Sequence, residues 1–212
     1  MSAPYNRNQS VALLSSLKTG VVHGKRKKNV GDEGWCVFWG GGGVKGIRGE
    51  AGPGDCGQGC LEKGMIKTTY GTGSSIMMNI GDKPVISTHG VAASLAWGMD
   101  GRVNYVLEGN INYTGAVITW LKDDLKLIAS ASETEGLARQ ANEDDTTYLV
   151  PAFTGIGAPY WDSEARAAIV GITRKTRTPE LVKAGLECIA YQIADVVEAM
   201  SRAAVGAVLT KS

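Results

Sequence analysis

The chain has 212 residues, 43% of them hydrophobic and 20% charged, with a formal net charge of +1. That is the composition of a globular protein long enough to bury a core. Near neutrality leaves no global electrostatic case for nucleic acid or an anionic membrane as partner. No apolar run approaches the roughly 18 residues of a membrane span, and the N-terminus lacks a signal-peptide pattern, so a cytoplasmic protein is expected. The four cysteines then read as free thiols. The alternative, zinc at Cys56 and Cys60, lacks histidines at finger spacing, because His23 and His89 are the only two.

Residues 1–57 are glycine-rich, with four consecutive glycines at 40–43 and a basic run at 25–28. Apolar residues there keep no sustained period, apart from a short helix or strand at 11–17. Ordering so much glycine costs conformational entropy, so this segment is expected to be poorly ordered. The basic run reads as a solvated cluster, since no aromatic residue is interleaved to stack on bases.

Clear alternation begins after Cys60. Ile66, Thr68 and Tyr70 alternate with Lys67 and Thr69 in strand fashion, and 76–80 supplies a return strand. Between them lies Gly71-Thr72-Gly73-Ser74. Residue types alone leave two readings of it, an ordinary hairpin turn or a phosphate cradle of backbone N–H groups and hydroxyls. A short strand is expected at 85–87. A second hairpin is expected from 94–98 and 103–108 around Asp100-Gly101.

The period then changes. Val117, Trp120, Leu121, Leu125 and Ile128 predict one face of a helix over 112–128. Ser132 and Glu135 predict a capping box opening another helix. Strands are expected at 148–153 and 167–173, separated by a Gly/Pro-punctuated loop in which Tyr160 and Trp161 read as packing anchors. Thr178-Pro179-Glu180 predicts a capped helix start, and Val182, Leu186, Ile189, Ile193, Val196, Val197 and Met200 mark its face, with Gly206 able to close it. Cys188 reads as a small buried hydrophobe, and Glu108 as a residue with a structural hydrogen bond.

Four motifs stand in order: Lys67-Thr68-Thr69-Tyr70-Gly71-Thr72-Gly73; Tyr105-Val106-Leu107-Glu108-Gly109 followed by Gly115-Ala116 and Trp120-Leu121; residues 150–162, with Gly157-Ala158-Pro159-Tyr160-Trp161-Asp162; and Leu186-Glu187-Cys188-Ile189-Ala190-Tyr191-Gln192. Together they resemble the FGGY carbohydrate kinases, in the form of the glycerol kinase branch, with a xylulose-type kinase left open. The resemblance implies an α/β fold of the actin-like, ribonuclease-H-like ATPase type. It covers an incomplete C-terminal FGGY domain at 58–212, while 1–57 has no counterpart and the family's later Asp-Gly-Gly motif is absent.

The activity this implies is transfer of the ATP γ-phosphate to a hydroxyl of glycerol or a small sugar such as xylulose, with ATP and Mg as cofactors. The implied partners are ATP/ADP, a small polyol or sugar, and a second copy of the chain in a homo-oligomer. Carried over residue by residue, Gly71, Thr72 and Gly73 form the phosphate turn and Gly115 contacts nucleotide. Thr119 stands where the family often has a glutamine, and a hydroxyl cannot reproduce both ends of an amide. Asp55, in a Gly-Asp pair ahead of Gly57-Gln58, is the candidate general base. The other reading of Asp55 is a solvated loop aspartate, because the family has a longer stretch between those pairs and proton transfer needs about 2.6–3.2 Å. The competing functional reading is a truncated, non-catalytic remnant of such a kinase, at most a weak nucleotide-binding or interaction module.

Overall fold

The computed structural model describes residues 35–40, 43–48, 60, 62–99 and 102–209. Among them the chain divides into two compact units. One holds Tyr70–Ser74 and Ile111–Asp195; the other holds the described parts of 23–69, Ser75–Asn110 and 196–209.

The second unit carries a six-stranded sheet built from β1 (Trp35–Gly40), β2 (Gly43–Arg48), β3 (Ile66–Tyr70), β4 (Ser74–Gly81), β5 (Ala92–Met99) and β6 (Arg102–Ile111), in the order β2-β1-β5-β6-β4-β3. β1 pairs antiparallel with β2 and with β5, and β5 with β6. Strands at 35–40 and 43–48 depart from the aperiodic reading of that stretch. Trp35, Val37, Phe38, Trp39, Val44 and Ile47 are aromatic or β-branched, and that preference prevails over the glycines around them. The expectations for 11–17, for the basic run and for the rest of 1–57 lie outside the described residues.

β4 alternates as its sequence predicts, with Ile76, Met78 and Ile80 buried. Buried Asn79 is bonded at both ends of its amide: Nδ2 donates to the Cys60 carbonyl at 3.1 Å, and Oδ1 accepts the Gly81 N–H at 2.8 Å. The β5–β6 hairpin forms where Asp100-Gly101 predicts it, with a bulge between Leu95 and Trp97. Glu108 is buried and accepts from Asn110 Nδ2 at 3.1 Å, the structural bond expected of it. Residues 85–87 form no strand.

The first unit packs short helices and a two-stranded antiparallel sheet, β7 (Tyr148–Val150) with β8 (Ala168–Val170). β7 ends before Pro151, which has no N–H to donate. β8 ends at Gly171, whose φ of 74° and close approach to the Thr146 carbonyl exclude a side chain.

The helix expected over 112–128 is shorter. β6 runs to Ile111, α1 spans Gly115–Thr119, and a π-helical turn follows at Trp120–Asp124, closed by Leu125 N–H on the Trp120 carbonyl at 3.0 Å. The wider turn shifts the helical phase. Val117, Leu121 and Ile128 therefore stay buried while Leu125 rotates to the surface.

Ser132 lies inside a 3₁₀ turn at Ala131–Glu133 and is not the N-cap that the expected capping box requires. Ahead of α2 (Thr134–Ala138), which has no side-chain cap bond, the Glu133 carboxylate reaches back to the preceding loop, accepting the Ala129 N–H at 3.2 Å and the Ser130 hydroxyl at 3.4 Å. The core joins Val117, Leu121, Ile128, Leu149, Val182, Ala184 and Cys188.

The last helix, α3 (Thr178–Leu209), starts where predicted but is capped differently and runs past Gly206. Glu180, rather than the Thr178 hydroxyl, secures its start. Oε2 accepts the Arg177 N–H at 2.8 Å and Oε1 accepts the Asn142 N–H at 3.0 Å. The Asn142 bond and, after it, the Arg177 bond hold the carboxyl below its ordinary value, against the opposing effect of burial.

A lowered carboxyl contributes stability above its unfolded pKa, near 4.3, and loses it as pH falls through the folded value. Glu180→Gln is therefore expected to cost about 1 kcal/mol at neutral pH. The gap to the parent chain should close below about pH 4, as read by urea melts over a pH series.

Candidate functional site

Both glycines of the Gly-Thr-Gly turn are set by backbone contacts. A Cβ on Gly73 would lie 2.4 Å from the Ile111 carbonyl oxygen and 3.0 Å from that of Asn112. The Gly71 N–H closes the turn on the Gly73 carbonyl at 2.9 Å. Gly73 thus lets the turn lie flat against the end of β6, which leads straight into α1.

The turn and the helix start are joined by main-chain bonds. The Thr114 and Ala116 N–H groups donate to the Thr72 carbonyl at 3.1 and 3.0 Å, and the Gly115 N–H donates to the Gly71 carbonyl at 3.0 Å. The first turn of a helix has N–H groups with no partner inside the helix. Here the turn's carbonyls supply partners, so the Thr114, Gly115 and Ala116 amides are spent within the chain, and of the turn's own amides Gly71 N–H is spent on the Gly73 carbonyl. What faces solvent is the exposed Thr72 beside exposed Gly71, Gly115 and Thr119. The Thr72 side chain makes no hydrogen bond to another described residue. The Thr119 hydroxyl donates to the Gly115 carbonyl at 3.3 Å, leaving its lone pairs to accept from a ligand.

The surroundings hold this arrangement rigidly. Gln192 Nε2 on α3 donates to the Tyr113 carbonyl at 3.2 Å and to that of Cys188 at 3.1 Å. The Phe153 ring packs against both Tyr113 and Trp120, each with centroids 4.9 Å away. Cys188 is buried as expected, and burial pushes its thiol up to about 12.

The structure therefore brings Gly71, Thr72, Gly73, Gly115 and Thr119 together, whereas Asp55 lies outside the described residues. It also brings in Thr114 and Gln192, which sequence reasoning missed, and pairs Thr114 with Ser74 of the turn. Gln192 stands inside a recognised motif, Ser74 directly follows one and Thr114 directly precedes Gly115-Ala116, but nothing in their spacing says that they meet. Tyr160 and Trp161 are not packing anchors, since both are 61% exposed. Their loop is held by its backbone instead. Ile156 and Asp162 exchange N–H···O bonds at 2.7 and 3.0 Å, and Asp162 Oδ1 accepts from Glu164 and Ala165 N–H.

The family model for the FGGY family of carbohydrate kinases, C-terminal domain, matches residues 66–210, well over half of the chain. The chain belongs to this family. Glycerol kinase of Natranaerobius thermophilus is 50% identical over 159 residues, covering 75% of this chain and 32% of that protein. Glycerol kinase of Alkaliphilus oremlandii is 53% identical over 146 residues, covering 69% and 29%.

Among solved structures, Plasmodium falciparum glycerol kinase with ADP superposes with a TM-score of 0.67 at 35% identity, over 71% of this chain and 30% of that one. Ligand-bound xylulose kinase from Lactobacillus acidophilus gives 0.54 at 26% identity, over 63% and 27%. This FGGY chain thus has part of the actin-like, ribonuclease-H-like ATPase fold and is glycerol kinase-like in sequence. It spans about a third of the length of the curated relatives it matches.

Proposed function

We propose that this chain is the nucleotide-binding part of an ATP-dependent kinase acting on glycerol or a small sugar such as xylulose. The observation that carries the reading is the exposed Thr72 hydroxyl, set on a turn where Gly73 and its helix partner Gly115 admit no side chain. A bare, rigid turn with one outward hydroxyl fits a phosphate group, because phosphoryl transfer depends on positioning more than on covalent chemistry by the protein.

ATP, with Mg as its counter-ion, supplies the γ-phosphoryl group when bound. Thr72 would donate to a phosphate oxygen, Gly71 and Gly73 would let the backbone come close, and Gly115 and Thr119 would line the adjoining surface. The reading assigns 58–212 to this partial domain and gives Asp55 the general-base role. The second reading, a non-catalytic binding module, is favoured by one observation: the exposed polar side chains of the described site are hydroxyls, with no carboxylate among them.

Calorimetry with ATP–Mg tests the proposal. Thr72→Val is expected to weaken binding about tenfold, the loss of one hydrogen bond to a charged group. Absence of heat from the parent chain at millimolar nucleotide would sink it. Coupled ADP release with glycerol or xylulose separates the two readings: acceptor-dependent turnover supports the kinase, and nucleotide binding without turnover supports the module.

A further inference from the structure

Behind the turn, the Ser74 and Thr114 hydroxyl oxygens lie 2.9 Å apart, 40 residues from each other in sequence and both buried. Thr114 Oγ1 also lies 3.2 Å from the Gly71 carbonyl oxygen and 3.5 Å from that of Thr72. Carbonyls only accept, and a hydroxyl has one proton. With Thr114 Oγ1 donating to the Gly71 carbonyl, its one proton is spent on the turn, and Ser74 is then the donor to Thr114. The result is a directed chain from the Ser74 O–H to Thr114 Oγ1, and from the Thr114 O–H to the Gly71 carbonyl.

We infer that this buried hydroxyl relay is the latch that fixes the Thr72 turn in its phosphate-facing position, with Ser74 and Thr114 as positioning residues for the nucleotide. The inference rests on the nucleotide reading above. The Gly71 and Thr72 carbonyls that receive the α1 amides are the two that Thr114 Oγ1 approaches, so side chain and main chain grip the same peptide units. Neither hydroxyl is exposed, so neither touches a ligand directly. Their effect passes through the orientation of Thr72. A buried donor or acceptor stripped of its partner is costly, so loss of one link loosens the others.

Thr114→Val keeps the shape and removes the relay, whereas Thr114→Ser keeps the hydroxyl. Two measurements read the result: ATP–Mg affinity by calorimetry, and amide hydrogen exchange at Gly115 and Ala116 without nucleotide. Thr114→Val is expected to weaken affinity and to speed both amides, each about tenfold, with Thr114→Ser within about twofold of the parent in both. Ser74→Ala, which cuts only the first link, is expected to give about a threefold change and serves if Thr114→Val fails to fold.

Fast exchange in Thr114→Val with parent-like affinity would overturn the latch while leaving the nucleotide reading intact. Parent-like exchange in that variant would overturn it as well. A parent chain that binds no ATP–Mg overturns both proposals together.

Discussion

Gly115→Ala is expected to abolish measurable ATP–Mg affinity and to lower stability by about 2–3 kcal/mol. The added Cβ would sit 2.5 Å from the Gly71 carbonyl oxygen and 3.3 Å from its carbon. Both are backbone atoms, so neither can swing aside as a side-chain tip could. Relief requires the turn and α1 to separate, which breaks the Gly115 N–H bond to Gly71 and strains the two bonds to Thr72. Gly136→Ala is the control: its Cβ meets nothing within 4 Å, on an exposed face of α2. Alanine there should stabilise by about 0.5–1 kcal/mol through helix propensity. Thermal melts on the two variants should move in opposite directions, while calorimetry should show parent-like binding for Gly136→Ala and none for Gly115→Ala; a Gly115→Ala chain that binds and melts like the parent would refute the close approach.

Leu121→Ala should cost about 3 kcal/mol, which for a chain of this size is a fall in melting temperature of about 6–12 °C. Leu121 is 1% exposed and lies in the core cluster with Val117, Val182 and Cys188. Its Cδ1 would be 2.8 Å from a Cβ on Gly185, so α3 approaches the π-helical turn at a glycine. Gly185→Ala alone should overpack this contact and cost about 1–2 kcal/mol. Combined with Leu121→Ala, the same methyl fills part of the cavity, and the double-mutant cycle should show about 1 kcal/mol of favourable coupling. Strict additivity would mean that the two residues do not share the contact.

Elements governed by local patterning could be read directly from the chain. β3, β4, the β5–β6 hairpin and the start of α3 follow from alternation, Asp-Gly turn chemistry and the Thr178-Pro179-Glu180 signal. Local pattern failed where a distant contact decides. The helix over 112–128 was shortened because 112–114 must meet the 71–73 turn, and its phase was moved by one wide turn that no periodicity reports. The cap of α3 passed to Glu180 because Asn142, 38 residues away, brings a second N–H to the same carboxylate. Tyr160 and Trp161 looked buried because aromatics usually are; their loop is instead secured by main-chain bonds and Asp162.

The site divides in the same way. The motifs named Gly71, Thr72, Gly73, Gly115 and Thr119, and the fold gathers them. Sequence cannot say which end of a peptide unit faces a neighbour. Residue types alone do not show that the Gly71 and Thr72 carbonyls accept the N–H groups at the start of α1. The buried partners Ser74 and Thr114 were hidden for the same reason, since two hydroxyl residues 40 positions apart carry no shared signal until the backbone brings them together.

That separation has a consequence for biosynthesis. At about 5–20 residues per second, the ribosome needs about 2–8 s to add the 40 residues from Ser74 to Thr114. Throughout that interval the Gly71 and Thr72 carbonyls lack the Thr114, Gly115 and Ala116 amides and the Thr114 hydroxyl that they face in the folded chain, and every residue of the β5–β6 hairpin is added before Thr114. Gln192, which holds the Tyr113 carbonyl from 79 positions downstream, arrives later still. A nascent chain arrested between Asn110 and Gly115 would carry the strands of the sheet and the whole Gly-Thr-Gly sequence, yet no site.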